Sequence, residues 1–135
     1  MSTVIVNTLT GTTTAGSISV TGEGNSTTTN LQQGLAKTWN TLDGTGTIGI
    51  LDSFNIASVT DRATGRYTHT FTANMGNTNY CSTNGSSRNG LFSTTVEGDS
   101  SYEAATGSVP TASTNASNAF TDTDAVMIAM LGDLA

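Results

Sequence analysis

The chain has one cysteine, one histidine, one proline, one tryptophan and four lysines and arginines in 135 residues. Each scarcity excludes something. Cys81 alone cannot form an intrachain disulfide, and it reads as a small buried hydrophobe. A zinc site takes three or four His, Cys or carboxylate ligands, which one His and one Cys do not supply. Nucleic-acid binding requires a basic footprint on the phosphates, and a net charge of −6 with four cations does not provide it. No apolar run reaches about 18 residues, so no membrane span is expected. The N-terminus shows no basic region followed by a long apolar stretch, so synthesis in a cytosol is expected. Too few Glu, Lys and Arg remain to build solvated helices.

What is abundant is Thr, Ser, Asn and Gly, together 70 of the 135 residues. Thr suits a pleated, half-buried surface, and Gly, Asn and Ser supply turns. Many strands joined by tight loops are therefore expected. Leu, Ile, Val and Phe total only 25 residues. Their alternating clusters argue for folding despite that number, since the modest net charge does not match disorder. A core so thin is easier to complete at a subunit interface, which points to an oligomer.

Residues 3–9 form a β-prone run, and residues 17–21 alternate, with Ile18 and Val20 on one face. Gly22 to Asn30 reads as a linker. The expected organisation is an N-terminal arm and linker over 1–30 and a β-sandwich body over 31–135. Leu31 to Gly34 suits one helical turn. A strand at 35–42 would set Leu35 and Trp39 on one core-facing side, with a turn at Asp43-Gly44. Ile48, Ile50 and Leu51 follow. A strand at 54–60 would align Phe54, Ile56 and Ser58, turn through 61–65, and return over 66–72. There Tyr67, His69 and Phe71 alternate with threonines, the clearest hairpin signal in the chain. Further strands are expected at 79–83, 91–97, 101–105 and near 108–113, with a loop over 84–90. The run 125–131 is apolar on both faces, as in a strand buried on both sides. The fold class read from these patterns is all-β, an antiparallel sandwich or jelly-roll-like domain with a short N-terminal arm.

Several motifs invite chemistry. Gly44-Thr45-Gly46-Thr47-Ile48-Gly49 spells G-x-G-x-x-G, but no helix pattern or βα alternation follows it, so hairpin glycines are the better reading. His69 lies among aromatics without an oxyanion or nucleophile-elbow signature, although Cys81 is near enough in sequence for a Cys-His pair. Asp122-x-Asp124 and Asp52 with Asp61 offer oxygen ligands but match no calcium loop. Tyr67, Tyr80, Tyr102 and Trp39 are the aromatics a sugar would need, and Tyr102, in a polar stretch, is the one to test. A glycan hydrolase needs paired carboxylates across a cleft, which three glutamates in Gly- or Ser-flanked contexts do not suggest. No catalytic residue, cofactor or metal is expected.

One pattern carries a resemblance. Gly34-Leu35-Ala36-Lys37-Thr38-Trp39, Asp43-Gly44-Thr45-Gly46-Thr47, Asp52-Ser53-Phe54-Asn55-Ile56 and Thr64-Gly65-Arg66-Tyr67-Thr68-His69-Thr70-Phe71 occur in order. Together they resemble small structural proteins of tailed bacteriophages, often labelled tail-fibre or virion proteins. The likeness covers roughly residues 28–81, and 131–135 add to it. It implies a place on the virion surface, reached from the bacterial host cytoplasm, and the habit of such proteins implies a homotrimer. Only about 30 residues precede the body, too few for a fibre shaft. A capsid decoration or cement knob bound to the major capsid protein is therefore placed ahead of a tail fibre or a receptor-binding component recognising host surface glycan. The residues expected at attachment or subunit interfaces are Val4, Ile5, Val6 and Leu9 in the arm and Val126, Ile128 and Met130 near the C-terminus.

Overall fold

The computed structural model describes residues 3–11, 18–22, 27–87, 93–96 and 102–134. The chain divides into two units, Met1–Leu35 and Ala36–Ala135. In the first, residues 3–11 form no strand. The expected linker instead contains half of a small hairpin, β1 (Ser19–Thr21) paired antiparallel with β2 (Thr28–Asn30). A single helical turn, α1 (Leu31–Gly34), follows. One turn is too short to persist unaided. It is anchored by the Asn30 side chain, which accepts from Gln33 N–H, and by Leu31 N–H donating to the Ile18 carbonyl.

The second unit is an all-β antiparallel sandwich. Its strands are β3 (Ala36–Asp43), β4 (Gly49–Phe54), β5 (Ile56–Ala63), β6 (Arg66–Phe71), β7 (Cys81–Ser87), β8 (Ser93–Val96), β9 (Ser108–Thr114) and β10 (Ala125–Leu131). They form two four-stranded sheets, ordered β4-β3-β10-β7 and β5-β6-β9-β8. All neighbours are antiparallel. Tyr67, His69 and Phe71 point inward while the intervening threonines do not, as the alternation predicts. The inward members of β10 are Val126, Ile128 and Met130. Between the sheets lie two apolar clusters. One comprises Phe71, Met75, Val109, Ile128 and Met130, the other Leu42, Tyr67 and Val126.

Three expectations are corrected. Trp39 does not face the core with Leu35. Strand β3 starts at Ala36, and its buried alternation is Thr38, Asn40 and Leu42, which turns Trp39 outward. No single strand runs over 54–60. Asn55 adopts φ +60°, so Phe54 ends β4 in one sheet and Ile56 opens β5 in the other. Asn tolerates this left-handed conformation better than most residues. Its side chain locks the corner, donating to the Lys37 and Ala73 carbonyls and accepting from Ala73 N–H. Finally, the expected loop from Asn84 is strand as far as Ser87, because β10 supplies a pairing partner there. The rest of that loop, 88–90, lies outside the described residues. So do residue 101 of the strand expected at 101–105 and parts of the one expected at 91–97. Residues 102–104 carry no strand.

Candidate functional site

The arm residues Val4, Ile5, Val6 and Leu9 are all exposed, Val4 to 83% and Ile5 to 90%. A solvent-facing cluster of four large aliphatic side chains within six residues is unusual for a chain so poor in them. Val126, Ile128 and Met130, expected at an interface, lie elsewhere. They are almost fully buried and fill the sandwich of their own subunit. The segment 125–131 is apolar on both faces, so its sequence did not disclose which face turns inward.

A chain of polar groups crosses the core. The Asn40 amide nitrogen on β3 lies 3.0 Å from His69 Nδ1 on β6, and His69 Nε2 lies 3.0 Å from Thr111 Oγ1 on β9. With Nδ1 accepting from Asn40, the ring proton sits on Nε2 and is donated to Thr111. All three residues are buried. Burial, aided by the positive charge of Arg62, lowers the His69 pKa to about 4. The ring is therefore neutral at physiological pH, and both nitrogens are engaged. A link between the two sheets fits one register only, since a one-residue slip would turn Asn40 or His69 to the outside. Asn40 and Thr111 were missed from sequence. The available signal was a polar residue in phase with Leu42 on an otherwise inward-facing alternation.

At one end of the sandwich, Asp122 accepts from the Tyr67 hydroxyl at 2.9 Å and from Gly65 N–H at 2.6 Å. Tyr67 also donates to the Gly44 carbonyl. Gly44 has to be glycine, because a Cβ there would overlap the Tyr67 hydroxyl. Burial, the hydrogen bond to Asp122 and the charges of Asp122, Asp61 and Asp43 push the Tyr67 pKa upward. Asp122, weighed as a calcium ligand, is thus a loop anchor.

The remaining candidates do not converge. His69 is enclosed, whereas Cys81 is exposed on β7 of the other sheet. The glycines 44–49 connect β3 to β4 and lead into a strand, with Gly46 at φ +61°. Among the described residues, no three His, Cys, Asp or Glu side chains are grouped to hold a metal. Tyr102 is 41% exposed, and the Arg62 guanidinium lies 3.9 Å from its ring centroid. Arg66 stacks likewise on Phe120, at 4.7 Å. Each cation is thereby held against an aromatic face. Among protein-family models, curated proteins and solved structures, none matches this chain.

Proposed function

We propose that this protein is a non-enzymatic structural component of a tailed-phage virion surface, a homotrimeric knob that decorates or cements the capsid. Its N-terminal arm grips the shell formed by the major capsid protein, and the sandwich projects outward. The observation that carries this reading is the exposed arm, with Val4, Ile5, Val6 and Leu9 presented to solvent. A β-prone segment that forms no strand within its own chain over 3–11 is a template for pairing with another chain. As an added strand it would bury Val4 and Val6 on one side and Ile5 on the other. The sequence likeness to virion proteins supplies the setting.

The test is removal of residues 1–21. The truncated protein is expected to remain soluble and folded and to be missing from purified particles. Truncated protein incorporated at normal copy number would place attachment elsewhere.

A second reading has one observation in its favour, the half-exposed Tyr102 ring backed by Arg62. In that reading the protein is a tail-fibre or receptor-binding component that stacks a host surface sugar on Tyr102. Glycan-array binding lost on Tyr102→Ala supports it. A high, fixed copy number on capsids opposes it.

A further inference from the structure

The polar link between the two sheets leaves one atom over. Asn40 is 1% exposed, and His69 and Thr111 are fully enclosed. Asn40 Nδ2 meets His69 Nδ1 and His69 Nε2 meets Thr111 Oγ1, each at 3.0 Å. The other half of the same amide, Asn40 Oδ1, is buried and has no hydrogen-bond partner among the described residues. Folded chains rarely keep such an acceptor, because losing water without a replacement costs free energy. The amide can also be reversed in place. Its oxygen and nitrogen are close in size, and a half-turn about the Cβ–Cγ bond exchanges them.

We propose that Asn40, His69 and Thr111 form a proton-operated switch inside the sandwich, in which His69 takes a proton on Nδ1 in acid and the Asn40 amide turns over to accept the new N–H. In the neutral form Nδ1 accepts from the amide nitrogen. A proton from solvent on Nδ1 would set two donors against each other at that contact. The turn removes the conflict by bringing Oδ1 to the ring. It breaks no bond that protonation has left standing, since Oδ1 has no partner to lose. Thr111 Oγ1 accepts from Nε2 before and after. Each nitrogen of the charged ring then has an acceptor, and β3 stays tied to β6 and β9.

No other group can take the part of Asn40. On β3 the inward residues are Thr38, Asn40 and Leu42, and Lys37 and Asp43 fall out of phase with them. Strands β8, β9 and β10 contain no titratable residue. On β7 the residues in register with Met130, Ile128 and Val126 are Ser82, Asn84 and Ser86, which leaves Cys81 out of phase. Asp52 on β4 is exposed. On β6, Tyr67 is neutral, with its hydroxyl engaged by Asp122 and the Gly44 carbonyl. On β5, Asp61 is exposed and lies opposite Tyr67. Arg62 is the charge that acts on the ring, and it opposes protonation.

The test is nuclear magnetic resonance on the full chain, labelled with nitrogen-15, as the pH is lowered from 7. His69 is the only histidine, so its ring nitrogens are assigned without ambiguity. At pH 7 the hydrogen is expected on Nε2, with a scalar coupling across the bond between Asn40 Nδ2 and Nδ1. Near pH 4 both ring nitrogens should carry hydrogen while the backbone amides stay dispersed as in the fold. The coupling should vanish and the Asn40 side-chain amide signals should move, both with the midpoint of the ring. Hydrogen on Nδ1 already at pH 7 would overturn the switch, because no turn would then be needed. So would a ring that titrates while the Asn40 amide stays still, or a chain that unfolds before the ring titrates. Asn40→Asp is the second arm. A carboxylate offers Nδ1 an acceptor without turning, so the ring midpoint should rise by about one to three pH units. An unchanged midpoint in a folded variant would contradict the contact itself, and if the variant does not fold, the parent spectra decide alone.

Discussion

His69 has the most to reveal about pH. Its pKa is about 4 in the folded protein against an ordinary 6.5. The unfolded chain therefore binds more protons between those values, and stability falls as pH drops from about 6.5 toward about 4. The whole effect is on the order of 3 kcal/mol. Thermal unfolding between pH 7 and 5, above most of the carboxylate titrations, should show the melting temperature falling, and His69→Gln should flatten that slope. Neither His69→Gln nor Cys81→Ser is expected to abolish any hydrolytic activity, and loss of one with the fold intact would contradict a non-enzymatic reading. Tyr67 acts at the other end of the scale. Because its folded pKa is raised, its contribution is intact below about pH 10 and is lost as the medium becomes more alkaline. Two glycines separate backbone strain from overlap. Gly46 and Gly65 both have positive φ, but a Cβ at Gly46 meets open space. At Gly65 it would lie 2.6 Å from the Ser113 carbonyl and the Thr121 amide. Gly46→Ala should cost about 1–2 kcal/mol and Gly65→Ala about 3 kcal/mol or more, read from urea midpoints.

Among the elements, the β4–β5 corner turns the chain from one sheet to the other through a single residue. Asn55→Gly keeps the left-handed backbone and loses three side-chain hydrogen bonds. Asn55→Val loses both and should be the more destabilising, by about 1–2 kcal/mol beyond glycine. If the two variants unfold alike in urea, the backbone conformation contributes nothing to the corner. That corner also shows where the sequence was legible. The strands at 66–72, near 108–113 and at 125–131 could be read because their apolar residues alternate or cluster, and their observed bounds differ by a residue or two. The break at Asn55 could not, since Phe54 and Ile56 continue the same period across it and only a side chain bonded to Lys37 and Ala73 reveals the turn. Trp39 was misplaced for a related reason. A large apolar residue outweighed Thr38 and Asn40 in the pattern, whereas the fold buries those two by hydrogen bonding. At the candidate site, the exposure of Val4 to Leu9 agrees with the reading of an arm, but the inward side of β10 was fixed by packing that no local pattern encodes.

For the whole molecule the question is how a chain with 25 Leu, Ile, Val and Phe residues reaches a stable state. Each subunit spends several large apolar side chains on surface, in the arm and on the outer sheet face. If the proposed homotrimer covers part of this surface on assembly, stability belongs to the trimer and depends on concentration. Unfolding one trimer into three chains carries two powers of concentration, so a tenfold dilution favours unfolding by about 2.7 kcal/mol per trimer. The melting temperature should therefore fall steadily from about 100 µM to about 1 µM. A monomer that unfolds in two states melts at one temperature across that range. Sodium chloride separates the apolar contact from an ionic one. Added salt screens the repulsion among subunits of net charge −6 and weakens ion pairs. An apolar interface between like-charged chains should accordingly melt higher at about 0.5 M salt than at about 0.05 M, and a melting temperature that dropped instead would assign the contact to charge pairs.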